Sequence, residues 1–192
     1  MSVITTKKEL SSVLKHEKQM YYDYMFQTRS RLFMGWLKHE PIYLILKWQK
    51  ASRIADYYLY ASHHGGNILD KLLYLFYIRK RNIKANRLGI EITTTNIAPG
   101  FLLYHFGATV INGGTMIGKN CRMHGNNCIG NSGPQNPECP VIGDNVMIGV
   151  GAKIIGNINI ANNIKIAAGA VVVNSVYEEG ITIGGIPAKQ IK

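Results

Sequence analysis

Apolar residues in the second half of the chain recur every six positions. Counting from Ile142, the sixth-residue series runs Ile142, Ile148, Ile154, Ile160, Ile166, Val172, all β-branched aliphatics. Four residues after each stand Val146, Ala152, Ile158, Ile164, Ala170 and Val176, again small or aliphatic. Gly143, Gly149, Ala161 and Ala167 follow the first position directly in four of the repeats. An upstream block keeps the same beat at Ile111, Ile117, Met123 and Ile129. The two blocks are out of phase by one residue, since Ile129 and Ile142 are 13 apart. The interval 131–140 is rich in Gly, Pro, Asn and Ser and reads as a loop thrown out of an otherwise regular coil.

A fixed internal period outranks local propensity as a sign of architecture. Six residues make one short strand and one turn, and three such units close a triangular coil. The aliphatic position fills the interior, the small position sits near a corner, and Gly and Asn serve turns that need positive φ. Each coil covers the next, so the core is a continuous column. The expected fold is mainly β: a parallel β-helix over 89–192 with an α-helical cap over 1–88.

The cap follows from a different period. Ile42, Ile45, Leu46, Ile54, Tyr57 and Tyr58 recur at helical spacing, and Leu69–Tyr77 is a second such stretch. Pro41 suits a first helical turn, and Gly65-Gly66 suits a break between helices. The run Arg79-Lys80-Arg81 is placed at the end of the last helix, where cations complement the helix dipole. Leu72, Leu73, Leu75 and Phe76 are compatible with a buried core, a subunit contact or peripheral contact with a membrane surface.

Composition separates the halves further. Residues 1–90 hold 16 Lys/Arg against 6 Asp/Glu, a balance of +10, whereas 91–192 hold 6 against 5. The basic excess reads as a solvated face or as contact with an anionic partner: CoA phosphates, an acidic glycan or a lipid-linked pyrophosphate. Nucleic acid fits poorly, because no recognition module is present. The first twenty residues carry no apolar signal core, and no run reaches the roughly 18 apolar residues that span a bilayer. Cys121, Cys128 and Cys139 lack zinc or disulfide-framework spacing, so no metal is expected and a reduced, cytoplasmic setting is the default.

One residue breaks the repeat in a way that points to chemistry. Counting back six from Ile111 reaches His105, at a phase that elsewhere carries an aliphatic. An imidazole buried there needs partners for both nitrogens; it is either a satisfied structural histidine or a catalytic one. His124 and Asn127 are further polar intrusions in the upstream coils. His124 falls one residue after the interior phase, so it points outward, either as a plain surface residue or as part of an acceptor pocket.

The stretches Gly100–Asn112 (with His105-Phe106-Gly107), Ile117–Cys121, Val146–Asn157 and Gly185-Ile186-Pro187-Ala188-Lys189 resemble the serine acetyltransferase branch of the hexapeptide-repeat acyltransferases. The resemblance covers most of 88–192. It implies a left-handed coil, acetyl-CoA as co-substrate, and a homotrimer whose pantetheine groove lies between neighbouring coils, with a dimer of trimers left open. It makes His105 the general base that takes the proton from the acceptor hydroxyl. A carboxylate orients that histidine in the family; the matching offset falls on Ile90, and a one-residue gap nominates Glu91. Val150 and Ala168 match backbone contacts to pantetheine, Lys165 and Lys189 match basic positions near the nucleotide phosphates, and Asn131 at the head of the loop is grouped with them.

The departures bear on the acceptor. The serine-specific members carry Asp before the histidine, where this chain has Tyr104. They carry an Arg-His pair in the loop, where this chain has Glu138-Cys139, and Glu138 repels a substrate carboxylate. Tyr104, His124 and Glu138 are therefore read as acceptor-side residues. The expected function is O-acetylation of a sugar in cell-surface polysaccharide synthesis, with serine O-acetylation for cysteine synthesis as the alternative. A non-enzymatic assembly platform is the third reading, opposed by the intact His105 block.

Overall fold

The six-residue beat becomes a three-sided coil. The structure is a computed structural model that describes residues 4–191. It divides at Leu88/Gly89 into two compact units.

The second unit has three parallel faces. The first holds strands Ile90–Ile92, Thr109–Ile111, Cys128–Gly130, Lys153–Ile155 and Val171–Val172. The second holds Met116–Ile117, Val141–Ile142 and Asn159–Ile160. The third holds Leu102–Leu103, Arg122–Met123, Met147–Ile148, Lys165–Ile166, Thr182–Gly185 and Ala188–Gln190. All pairings within the faces are parallel except the closing hairpin, where Gly184 faces Lys189. The chain visits first, second and third face in turn, so each corner recurs once per coil.

Registers show why the residues were spaced as they are. Ile111 pairs with Ile129 and Ile129 with Ile154, so the 131–140 loop leaves the rungs on either side in step. Both repeating positions point inward: Ile148, Ile154, Val146, Ala152, Ile164 and Ala170 are fully buried. The small position is thus interior as well as near a corner. Val176 departs from its expected place, since it bridges to Ile160 and stands only half-buried.

Among the described residues the first unit holds four α-helices. α1 (Lys7–Tyr21) starts at a capping box, with the Glu9 amide donating to Thr6 Oγ1 and the Thr6 amide donating to Glu9 Oε2. A π-helical turn, Tyr22–Phe26, leads to α2 (Arg29–Leu37). α3 (Pro41–His63) opens on its proline, and α4 (Ile68–Leu88) follows the Gly65-Gly66 break. Arg79-Lys80-Arg81 lies in the middle of α4 rather than at its end, because no breaker follows until Gly89. The unit buries an ion pair, Arg53 Nη2 to Glu17 Oε1 at 2.6 Å, and Tyr21 donates to Gln49 Oε1 at 2.8 Å. Leu72, Leu75 and Phe76 are more than half exposed, so within one chain they are not core.

Candidate active site

The corner where the third face turns into the first gathers Tyr104, His105, His124, Val150 and Ala168, half of the nominated residues. Backbone bonds stack its rungs: the Tyr104 amide donates to Met123 O, His124 to Ile148 O, Gly149 to Ile166 O and Ala167 to Ile183 O. Tyr104, His124, Gly149, Ala167 and Gly184 therefore form one column. At its head the Tyr104 and His124 rings stack, with centroids 4.6 Å apart and planes 11° from parallel. The His105 ring lies 6.3 Å from His124 and 6.5 Å from Tyr104.

His105 is not where the count by sixes puts it. Leu103, paired with Met123, fills the interior rung, and Leu103 to Ile111 is eight residues rather than six. Two extra residues widen this corner, and the His105 side chain stands exposed on it. The energetic premise of a buried imidazole is overturned: the ring faces solvent. Among the described residues the His105 ring has no hydrogen-bond partner. Burial, and then the neighbouring His105, hold the pKa of His124 below the usual histidine value.

Two residues that the sequence did not assign hold this corner. A Cβ on Gly125 would lie 2.8 Å from the His105 carbonyl oxygen, so the chain beneath His105 is packed backbone to backbone. Asn127 is fully buried below it. Its Oδ1 accepts from the Gly125 amide at 2.9 Å, and its Nδ2 donates to Gly149 O at 2.7 Å and Ala152 O at 3.3 Å. The available signal was its phase: a polar side chain four residues after an interior position has to be satisfied internally.

Below the rings the same corner is bare. Gly149–Ala152 and Ala167–Ala170 are turns closed by bonds from Ala152 to Gly149 and Ala170 to Ala167, each 3.3 Å, with Gly151 and Gly169 at positive φ. A Cβ on Gly149 would sit 2.5 Å from the Ala168 amide nitrogen. Val150 and Ala168 are exposed on this ledge. The corner after the second face is the opposite case. There Lys119 N donates to Asp144, Asp144 N to Asn162, and an amide ladder runs Asn120 to Asn145 to Asn163 at 3.4 and 3.1 Å. Side chains cover that corner, whereas the Gly/Ala ledge leaves its backbone open.

The remaining nominees are distributed. Lys189 faces Gly184 across the closing hairpin, at the foot of the ledge, and Lys165 is exposed on the outside of the third face. Glu91 is exposed on the outside of the first face opposite Val110, and among the described residues it makes no hydrogen bond to His105. Glu138 and Asn131 belong to the loop after the first face. Asn131 is occupied there, accepting from Asn112 Nδ2 at 3.1 Å and donating to Gly133 O at 2.9 Å. Within one chain the loop and the ledge sit at different corners.

No family model matches the chain. The serine acetyltransferase of Synechococcus elongatus is 33% identical over 105 residues, 54% of this chain and 43% of that protein. That of Staphylococcus xylosus is 41% identical over 86 residues, 41% of this chain and 39% of that protein. The match thus spans less than half the length of these relatives. Among solved structures, serine acetyltransferase of Neisseria gonorrhoeae has a TM-score of 0.71 at 26% identity, over 97% of this chain and 68% of that one. Brucella abortus serine acetyltransferase in complex with coenzyme A gives 0.70 at 27%, over 96% and 68%. The chain carries six-residue repeats and is similar to serine acetyltransferases in sequence over about half its length and in fold over nearly all of it.

Proposed function

We propose that this chain is an acetyl-CoA-dependent O-acetyltransferase with His105 as general base. The observation that carries the reading is the widened corner: it lifts one exposed imidazole out of the coil at the head of a bare Gly/Ala ledge. In the proposed reaction an imidazole nitrogen takes the acceptor's hydroxyl proton as the oxygen attacks the thioester carbonyl. The tetrahedral adduct collapses, the C–S bond breaks, and the imidazolium returns the proton to the leaving thiolate. General-base catalysis of this kind contributes about 10²–10⁴-fold.

Acetyl-CoA is assigned to the ledge, with Val150 and Ala168 offering backbone to the pantetheine and Lys189 and Lys165 near the phosphates. The ledge is open on one side, which agrees with a left-handed coil assembled as a homotrimer, each groove closed by a neighbouring copy. L-Serine is the first acceptor, because the relatives bear that name. A sugar hydroxyl is the second reading, favoured by the Tyr104–His124 stack, a flat aromatic surface beside the base.

The test is thiol release from acetyl-CoA with L-serine and, in parallel, a panel of sugars and nucleotide sugars, for wild type and His105→Ala. Turnover with a hydroxyl acceptor that falls at least about 100-fold in His105→Ala is expected. Full turnover by the variant refutes the assignment of the base, and the acceptor that reacts decides between serine and sugar.

A further inference from the structure

The helical unit contains two cavities that the acetyl-transfer reading does not use. The larger, about 900 Å³, is lined by Lys15, Lys18, Arg29, Lys47 and Lys50 over a wall that includes Phe33, Trp36 and Tyr43. The smaller, about 460 Å³, shares Trp36, Tyr43, Lys47 and Lys50 and adds Lys80, Lys84 and Tyr77. The two adjoin along the shared residues, and neither includes a residue of the repeat half.

Seven cations thus face a basin in which Glu17 is the one carboxylate among the described lining residues. Glu17 is already committed, accepting from Arg53 Nε at 3.1 and 3.2 Å and from Nη2 at 2.6 Å. Among the described residues none of the seven is paired with a carboxylate. Two rest against rings instead: Lys47 lies 5.1 Å from the Tyr43 centroid, and Lys80 lies 5.6 Å from that of Phe76. An ordinary solvated face intersperses both signs of charge. Here cations from all four helices converge on one concavity, at the cost of mutual repulsion. Burial, and then Lys80, Lys47 and Arg87, depress the pKa of Lys84 accordingly.

We infer that this basin is a binding site for a diphosphate-bearing ligand, separate from the acetyl-transfer corner. Several converging ammonium groups match compact, multiply charged phosphate oxygens. The aromatic wall matches a ring or hydrocarbon attached to them. Phe33 and Trp36 are 56% and 49% exposed, so the apolar side of the basin opens outward. A soluble nucleoside diphosphate and a lipid-linked diphosphate share this chemistry.

The experiment uses the full chain. Inorganic pyrophosphate is titrated by calorimetry, with fluorescence of Trp36 in the wall as a second readout. Sedimentation with phosphatidylcholine vesicles doped with a polyprenyl diphosphate, against plain phosphatidylcholine vesicles, tests the lipid source. Lys47→Gln/Lys50→Gln removes the two cations common to both cavities; exposed Lys7 and Lys8, outside them, supply the control Lys7→Gln/Lys8→Gln. Two lost charge-assisted contacts weaken binding by about tenfold or more. That loss in the basin variant alone supports the site, with pyrophosphate or the diphosphate-doped vesicles identifying the source. Equal weakening in both variants, or binding of neither probe by wild type, overturns it. Thiol release by the basin variant stays at the wild-type level, so failure here is distinguishable from failure of the acetyltransferase reading.

Discussion

Asn127→Ala tests whether the active corner is held from inside. Asn127 makes three hydrogen bonds in a fully buried position. Removing its side chain orphans the Gly125 amide, at about 1–3 kcal/mol for a buried donor. Gly149 O keeps the bond from the Ala152 amide, and Ala152 O keeps that from Cys128. Their losses are therefore smaller, about 0.5–1 kcal/mol each. The sum is about 3 kcal/mol. Urea unfolding followed by circular dichroism measures it, and amide hydrogen exchange at Gly125 locates it. Because Gly125 packs under the His105 carbonyl, thiol release falls as well, by about tenfold or more for a displacement near 1 Å. Destabilisation below about 1 kcal/mol with unchanged exchange at Gly125 refutes the reasoning.

Asp56 is raised from the ordinary 3.8 to about 7, first by burial, against the pull of Arg53 and Arg81. A carboxyl protonated more readily in the native state costs nothing at low pH. Its cost grows as the unfolded chain ionises above about pH 4 and is complete above about 7. Asp56→Asn then gains about 2 kcal/mol at pH 8, discounted for partial exposure, and nothing at pH 3.5 or below, read by urea unfolding through the two tryptophans of the helical unit. Gly149→Ala drives a Cβ to 2.5 Å from the Ala168 nitrogen, so it destabilises the coil by roughly 2–4 kcal/mol and weakens acetyl-CoA binding, measured by calorimetry. The Cys121 thiol, pushed up to about 12 by burial, stays unreactive toward a thiol reagent at pH 8 until denaturant is added.

The coil was legible because its core obeys one rule per coil. Ile142 through Ile166 recur at six, and the structure pairs them as neighbours on successive rungs. The same rule misplaced His105, since a back-count assumes no insertion and the widened corner carries two extra residues. Asn127 was visible as an intrusion, but its partners Gly149 and Ala152 reach it only by coiling. In the helical unit the sequence marks helices and charge, and α3 begins at Pro41 as expected. Glu17 and Arg53 are 36 residues apart, and nothing in either local pattern announces their pairing. The cationic basin was hidden for the same reason: its lysines come from separate helices. The run Arg79-Lys80-Arg81 misled, because charge at a helix end and charge along a helix face look alike in one dimension.

The loop after the first face leaves the scaffold untouched. Cys128 and Ile129 still pair with Lys153 and Ile154, and Asn112 clasps Asn131 at its base. Lengthening such a loop costs only about 0.6 kcal/mol per doubling. The 132–138 segment is therefore an exchangeable cassette on a fixed frame: a lineage can rewrite it without renegotiating the column of isoleucines beneath.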